Sequence, residues 1–360
     1  MPDTWTTRRA GTTVAEWMHM QPLPGIDIAP FADPSEHLIA ILVRLGYSLD
    51  RAEAQQRGAA VDGRVGDMEA QDDIVALRAA SSIEAGMNLP IVSLAERFGL
   101  GPGEVLLLIA AALPGLDIGL AVRWQLLLGS GHPERTVHEL IDLLAMGDDD
   151  GAFLADALGN EGALQRQRLL RVSSSRDWSG EAPLLQRQVS VPERIVDVIR
   201  GDFGTDAIDH RLRSIASIRR SAPTADPASL ALIARALESD GAIVVDGPAR
   251  IGKSSTAIAA IASIGGSALV VDLEQLAVAH AGGGEDPLAM FARIRREARL
   301  HGARLVVRAG DWNEAWPAAL RREVIATIQD RSAILMGGRQ ADAVVWFENT
   351  TGRFVTNGLW

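Results

Sequence analysis

The chain has 360 residues, which is enough for two domains that each bury a core. It contains no cysteine, which excludes disulfides and cysteine-ligated zinc, and its formal net charge of −11 argues against a general nucleic-acid partner. The first 21 residues lack the apolar core of a signal peptide, and the longest apolar stretch, Val105 to Leu113, is too short to span a bilayer. The composition therefore predicts a globular, cytoplasmic protein that makes no membrane contact.

The N-terminal residues predict an arm followed by helices. Residues 1–35 carry five prolines and no periodic apolar pattern, so we expect an extended arm, with a disordered tail as an equal alternative. A buried helix is expected over 36–47, closed by Gly46, and a second helix from Asp72 to Ala85. The polar residues 51–72 are expected to form a solvated connection between them.

The segment from Leu89 to Pro114 predicts a helix, a glycine-containing turn and another helix, which is the pattern of a helix-turn-helix. A DNA recognition helix needs polar side chains that reach base edges. The second helix, Glu104 to Leu113, contains no Arg, Lys, Asn or Gln. It is therefore interpreted as a core helix, and DNA reading is the less favoured alternative.

The remainder of the first half predicts a small winged module. Asp148–Asp150 is interpreted as a solvated loop rather than a metal site, and a strand at Leu169–Val172 is expected to pair with one inside Pro183–Val191. The polar segment 201–226 is predicted to be an interdomain linker. Helices that precede a two-stranded ribbon describe a winged-helix-like domain over 36–200. The further helices are expected over 116–128, 134–145, 152–171 and 192–200.

The second half alternates strands with helices, beginning with a helix that Pro227 opens. This alternation predicts a parallel, doubly wound sheet whose ligand lies at the carboxyl ends of the strands. The apolar runs that predict buried strands are Ala242–Val245, Ser267–Leu273, Arg304–Val307 and Ala333–Met336. The fold class is thus an α/β domain, over 227–360, preceded by a mostly helical one.

A phosphate-binding motif joins the first of these strands to its helix. Gly247 to Ser254 matches G-x-x-x-x-G-K-[ST], the P-loop pattern. Its glycines allow a tight turn whose backbone N–H groups point at phosphate oxygens, and the helix N-terminus adds partial positive charge. The alternative is a strand–helix turn that binds nothing. The predicted binding residues are Gly247, Pro248, Ala249, Arg250, Ile251, Gly252, Lys253, Ser254 and Ser255.

Lys253 is the only lysine in the chain, since every other basic residue is arginine. Lysine binds phosphate as a compact point charge, whereas arginine presents a wide planar fork. In the motif, Lys253 reaches the β- and γ-phosphates and the Ser254 hydroxyl ligates Mg²⁺. The cofactors predicted from this motif are ATP and Mg²⁺.

The order of these parts resembles an AAA-type ATPase. The first half resembles the winged-helix domain that precedes the ATPase core in bacterial AAA proteins, including those encoded with contractile injection systems. The resemblance covers about residues 85–350. Apart from the P-loop, it is carried by Leu94–Leu100 with the apolar helix after it, Leu169–Arg171, and Val191–Val196.

Three departures from that family concern catalysis. Its second acidic motif ends the third strand with Asp and Glu, but the matching positions here are Arg308 and Ala309. The nearest acids, Asp311 and Glu314, are the candidate catalytic residues: a shifted loop would bring Asp311 to the metal, and an exposed helix-capping acid is the alternative. Glycines 337 and 338 replace a polar residue after the fourth strand. The helical lid of the family does not follow before Trp360, so the resemblance implies a core that is truncated at its C-terminus.

The resemblance also implies an arginine finger, for which Arg353, in Gly-Arg-Phe, is the first candidate and Arg339 the second; a surface arginine is the alternative reading of both. The implied function is ATP binding and hydrolysis coupled to remodelling or assembly of a protein partner. The implied state is a homo-oligomeric ring if a lid is supplied. Two alternatives stay open: a catalytically degenerate nucleotide-binding scaffold subunit, and a DNA-binding regulator switched by nucleotide.

Overall fold

A computed structural model describes most of the chain. Two compact units divide it, Met1–Phe203 and Gly204–Trp360, and each is described by itself. The described residues are 29–58, 62–129, 134–174, 181–202, 204, 207–222, 227–238, 243–245, 252–281, 285–310, 316–330, 333–337 and 355–356.

The first unit begins with five helices. They are α1 (Pro34–Gln56), α2 (Asp62–Glu84), α3 (Pro90–Phe98), α4 (Pro102–Leu116) and α5 (Ile118–Leu128). The prediction that Glu104–Leu113 forms a core helix is confirmed, because Leu107, Ile109 and Leu113 of α4 are fully buried. The extended arm predicted over 1–35 lies mostly outside the described residues.

Gly46 does not end the first helix, as the sequence predicted. The helix continues through it to Gln56, and the predicted connection over 51–72 belongs largely to α1 and α2. Gly46 instead lies in the helix beside α5, where a Cβ would make an ordinary contact with Leu120 Cδ2 at 3.9 Å. Arg123 of α5 also bonds Asp50 and Glu53 of α1, so the two helices run side by side.

The rest of the first unit is built on a small antiparallel sheet with strand order β1-β3-β2. Its strands are β1 (Arg135–Thr136), β2 (Arg171–Ser173) and β3 (Gln188–Ser190). The helices around it are α6 (Val137–Leu144), α7 (Asp148–Ala157), α8 (Ala163–Arg166), a 3₁₀ turn (Leu184–Gln186) and α9 (Glu193–Arg200). The predicted ribbon is present, and β1 is a third strand that the sequence assigned to a helix.

The second unit contains a six-stranded sheet with order β4-β6-β7-β8-β5-β9. Neighbours among β5–β9 run parallel, and β4 is an antiparallel edge strand. The strands are β4 (Ala216–Arg219), β5 (Ile243–Val245), β6 (Ser267–Asp272), β7 (Ala303–Gly310), β8 (Ala333–Gly337) and β9 (Val355–Thr356). The helices are α10 (Pro227–Glu238), α11 (Lys253–Ser263), α12 (Leu273–Ala281), α13 (Pro287–Leu300) and α14 (Ala318–Gln329).

Helices cover both faces of this sheet. Leu305 and Val307 of β7 pack in a cluster with residues of α13 and α14, whereas Val306 packs with residues of α10 and α11. The chain is therefore a mostly helical region followed by an α/β region with a largely parallel sheet, as the alternation predicts.

Part of the segment predicted as a linker, 201–226, is built into the second unit. β4 pairs with β6, and the Asp272 N–H donates to Ile215 O at 3.1 Å. Asp209 is buried, and its carboxylate accepts from Arg293 Nη1 at 3.4 Å and from Arg296 Nη2 at 3.1 Å. Composition suggested a linker because the segment is polar, but its Asp209 is paired with arginines inside the unit.

Within the described ranges, no single helix is long and apolar enough to cross a membrane. The pair α4 and α5 meets the length and composition criteria together, but it is bent by 103°.

Candidate functional site

The carboxyl edge of the six-stranded sheet contains a topological switch point. From β5 the chain crosses to β6 on one side, whereas from β8 it crosses to β9 on the other side of β5. Because β5 and β8 are neighbours, the strand order sends their outgoing connections in opposite directions. Ligands of open α/β sheets bind at such a switch point, beyond the carboxyl ends of the strands. The predicted phosphate loop follows β5 directly and is attached to this point.

The described part of that loop shows how α11 begins. Gly252 has φ 91°, a left-handed conformation that favours glycine, and Lys253 is the first helical residue. The first N–H that donates within the helix is that of Thr256, to Gly252 O at 2.9 Å. In any α-helix the N–H groups of the first turn have no acceptor inside the helix, and here they face the N-terminal end of α11. Together with the helix dipole, they form an environment suited to an anion.

The side chains at this helix start are partly accessible. Lys253, Ser254 and Ser255 are all half-buried. No hydrogen bond from the part of the chain that the structure describes engages the Ser254 or Ser255 hydroxyl. Both hydroxyls are thus available to a ligand oxygen or to a cation that accompanies it.

A row of four residues crosses the sheet at its carboxyl edge. Asp272 of β6 is in register with Arg308 of β7, Arg308 with Met336 of β8, and Met336 with Val245 of β5. Val245 is the last residue of β5 before the predicted loop. Arg308 Nη1 lies 4.0 Å from Asp272 Oδ2. The row therefore places a guanidinium two strands away from the loop, about 10 Å between strand axes.

Sequence reasoning assigned no role to Asp272. Its Oδ1 accepts from the N–H groups of Glu274 at 3.1 Å and Gln275 at 3.3 Å, which caps α12. Its Oδ2 faces Arg308, and its side chain is 32% exposed. The signal in the sequence is a carboxylate directly after the apolar run Ala268–Val271, at the end of a strand. Only the register shows that this carboxylate meets position 308.

The two positions that should hold the family's acidic pair point to opposite faces of β7. Ala309 is fully buried in the cluster that contains Leu305 and Val307. The Arg308 side chain, 53% exposed, lies on the face that α11 covers, since it alternates with Val306. The edge therefore carries a cation where a carboxylate was expected, and a Glu at 309 would be buried among apolar groups.

Several predicted site residues lie outside the described residues. They are the loop Gly247, Pro248, Ala249, Arg250 and Ile251, the acids Asp311 and Glu314, Gly338, and the arginines Arg339 and Arg353. Their roles stay predictions. In the described ranges, no group of three or more His, Asp or Glu side chains is arranged to hold a metal ion.

In the first unit, α6, α7 and the short α8 lie between β1 and β2. α6 begins with a capping box in which Thr136 and Glu139 bond each other's backbone N–H. α7 follows after three residues and carries four aspartates, with no Arg or Lys. The Asp148–Asp150 run, interpreted as a solvated loop, is instead its first turn: Asp150 is fully buried and accepts from Met146 N at 3.0 Å.

This arrangement of three helices, β2, a connecting segment and β3 agrees with a comparison against protein families. The model of the family described as "Winged helix domain, variant" matches residues 21–216, more than half of the chain. The chain belongs to this family. The winged helix match begins at residue 21, within the first unit, and continues to the start of β4. No curated protein and no solved structure matched the chain.

Proposed function

We propose that the α/β unit is a P-loop nucleotide-binding core of the AAA type, which binds ATP with Mg²⁺ and couples this binding to assembly or remodelling of a protein partner. One observation carries the proposal. A left-handed glycine, Gly252, stands directly before the only lysine of the chain, and that lysine opens a helix at the switch point of a parallel sheet.

The residues of this edge have distinct roles under the proposal. The Lys253 ammonium binds the β- and γ-phosphates, and the Ser254 hydroxyl ligates Mg²⁺. The backbone N–H groups at the start of α11, with those of the preceding loop, surround the phosphates. Ser255 adds a hydroxyl donor on the same turn.

The geometry of β7 favours binding over hydrolysis. Arg308 and Ala309 occupy the positions where the family places its metal-organising and water-activating acids, and Ala309 faces the core. Hydrolysis then depends on Asp311 or Glu314. This observation supports the second candidate, a nucleotide-binding scaffold subunit in which the bound nucleotide stabilises an assembly.

The winged helix domain offers features suited to a protein partner. Two helix faces expose apolar rows with i, i+4, i+8 spacing: Ile39, Val43 and Tyr47 on α1, and Ile118, Val122 and Leu126 on α5. Exposed apolar patches of this kind mark protein interaction sites. By contrast, the exposed Asp149 and Asp156 of α7 repel a phosphate backbone, which disfavours the DNA-binding alternative.

Titration of a fluorescent ATP analogue against the full chain, with Mg²⁺ present, tests nucleotide binding. We expect Lys253→Ala to bind about 10- to 100-fold more weakly, because a charge-assisted hydrogen bond contributes about 1.5–3 kcal/mol. Arg235→Ala is the control: it removes a positive charge from an exposed position on α10 and should bind the ATP analogue as the wild type does. Equal affinity of the wild type and Lys253→Ala would overturn the proposal.

Phosphate release separates the two candidates. If the wild type binds ATP but releases phosphate no faster than Lys253→Ala, the scaffold function holds and the ATPase function fails. Duplex binding that weakens with salt would instead support a DNA-binding regulator.

A further inference from the structure

The first unit contains a cavity of about 50 Å³ between α1, α2, α3 and α4, which none of the functions above uses. Its walls are mostly apolar, and they include Val75, Ile91 and Leu106, all buried. Ile41 and Val105 also line it and are only half-buried, so the cavity has a mouth to solvent on their side. One water needs roughly 10–15 Å³, so this cavity has room for about three to five water-sized groups.

Three polar side chains also line this cavity: His37, Arg44 and Asp72. Arg44 Nε donates to both Asp72 oxygens, at 3.0 and 3.1 Å, and Arg44 Nη1 donates to Ser48 Oγ at 2.7 Å. Nη2 of this buried guanidinium makes no hydrogen bond within the described ranges. Since Nη2 is not fully enclosed, it can donate to an acceptor that enters the cavity.

His37 supplies the second observation. It is 2% exposed, its Nδ1 has no hydrogen-bond partner in the described structure, and its ring packs against Phe31 with centroids 5.2 Å apart. Burial lowers the pKa of His37 to about 4, so the imidazole is neutral near pH 7. A neutral imidazole has one donor and one acceptor nitrogen, and both kinds of group suit a hydroxyl.

The charges of the cavity decide what kind of group fits. Arg44 and Asp72 neutralise each other, and His37 carries no charge near pH 7. A carboxylate or ammonium in this space would be an uncompensated buried charge, which costs several kcal/mol. The apolar walls select a hydrocarbon body, and the small volume excludes drug-sized molecules and nucleotides.

We propose that this cavity binds a compact, uncharged aliphatic group that carries one hydroxyl or carbonyl oxygen. The oxygen accepts from Arg44 Nη2 and meets His37, while four or five heavy atoms of a branched chain contact Val75, Ile91 and Leu106. Such a group belongs either to a free small molecule or to an aliphatic residue of a polypeptide.

Saturation-transfer NMR on the full chain tests the proposal with three probes: 2-methyl-1-propanol, the isobutyrate anion, and N-acetyl-leucinamide. We expect transfer to at least one neutral probe and none to isobutyrate. Stronger transfer to the leucine derivative identifies a polypeptide source, and stronger transfer to the alcohol identifies a free molecule. Absence of transfer to both neutral probes, or equal transfer to isobutyrate, overturns the proposal.

Variants locate the binding at the cavity. Val105→Phe fills the mouth and should abolish transfer, whereas Val122→Phe makes the same change at an exposed position of α5 and should leave it intact. His37→Phe keeps the ring but removes the nitrogens, and it should weaken binding about tenfold. Circular dichroism checks folding. Unchanged transfer in a folded Val105→Phe variant overturns the assignment.

Discussion

Replacing Asp209 with asparagine is expected to destabilise the second unit by several kcal/mol. Asp209 is 7% exposed and faces Arg293 and Arg296, whose side chains are 7% and 1% exposed. Removing one partner of a buried ion pair costs about 3–5 kcal/mol. Arg293 keeps Glu285 at 2.9 Å and Arg296 keeps Glu297 at 3.1 Å. The cost should therefore fall near the lower end, about 3 kcal/mol.

The destabilisation caused by Asp209→Asn should depend on pH. Burial alone raises the pKa of Asp209, but the Arg211 N–H and the charges of Arg296 and Arg293 outweigh it and hold the pKa below its ordinary value. A carboxyl group with a lowered folded pKa stabilises the fold above its unfolded pKa, about 3.9. That stability disappears as the pH falls through the folded pKa. The difference between wild type and Asp209→Asn should thus be constant at neutral pH and shrink below about pH 4.

Hydrogen exchange measured by mass spectrometry on β4 and β6 provides the assay, because a two-unit chain need not unfold in one step. Asp330→Asn is the matched control: it removes a carboxylate from Arg299 across 3.8 Å, and the two side chains are 63% and 36% exposed. An exposed pair contributes about 0–1 kcal/mol. Equal exchange in the two variants would refute the view that 207–222 is an integral part of the second unit.

Three further outcomes follow from single positions. Gly252→Ala places a side chain at φ 91°, a conformation that costs about 1–2 kcal/mol. The variant should therefore bind the ATP analogue about tenfold more weakly. Unchanged affinity would contradict the role of this turn. Ala309→Glu buries a carboxylate, so it should lower the Tm markedly without raising phosphate release. Arg308→Asp changes an exposed position and should shift the free energy of unfolding by less than about 1 kcal/mol. Equal Tm losses in the two variants would contradict the assigned faces of β7. The pKa of His37 in the folded protein, about 4, lies below that of a histidine in an unfolded chain. As the pH falls, His37 is therefore protonated in the unfolded chain before it is protonated in the folded one. Relative to His37→Phe, the wild type should lose up to about 3 kcal/mol between pH 6.5 and 4, measured by hydrogen exchange of α1; parallel pH profiles would exclude a buried neutral His37.

The sequence predicts the inner strands of the second unit well, and it fails at the edges. β6, β7 and β8 follow continuous apolar runs because helices cover both faces of the sheet. β4 was missed because an edge strand keeps polar residues, here Ser217 and Arg219. β1 was missed because it has two residues and its Thr136 also caps α6, a strong helix signal.

The sequence predicts those parts of the site that depend on residues close together in the chain. The phosphate motif is local, and Gly252 adopts the left-handed conformation that a tight turn requires. The pairing of Asp272 with Arg308 depends on the register of β6 against β7, across 36 positions of sequence, which no local pattern encodes. The cavity beside His37 needs four helices to pack, and hydrophobic periodicity does not give their relative positions.

The Arg308–Asp272 pair bears on why this edge suits a bound nucleotide. Both groups are partly exposed and 4.0 Å apart, so the pair contributes at most about 1 kcal/mol to stability. Under the proposed function, Arg308 can therefore exchange Asp272 for a phosphate oxygen at little cost, and a guanidinium–phosphate hydrogen bond is charge-assisted. Asp272 retains the N–H groups of Glu274 and Gln275 when it loses Arg308, so its carboxylate stays hydrogen-bonded. Under the proposed function, Arg308→Ala should weaken ATP binding more than ADP binding, because only ATP supplies the outer phosphate. Equal weakening for the two nucleotides would place Arg308 away from the γ-phosphate and leave Asp272 as its only partner.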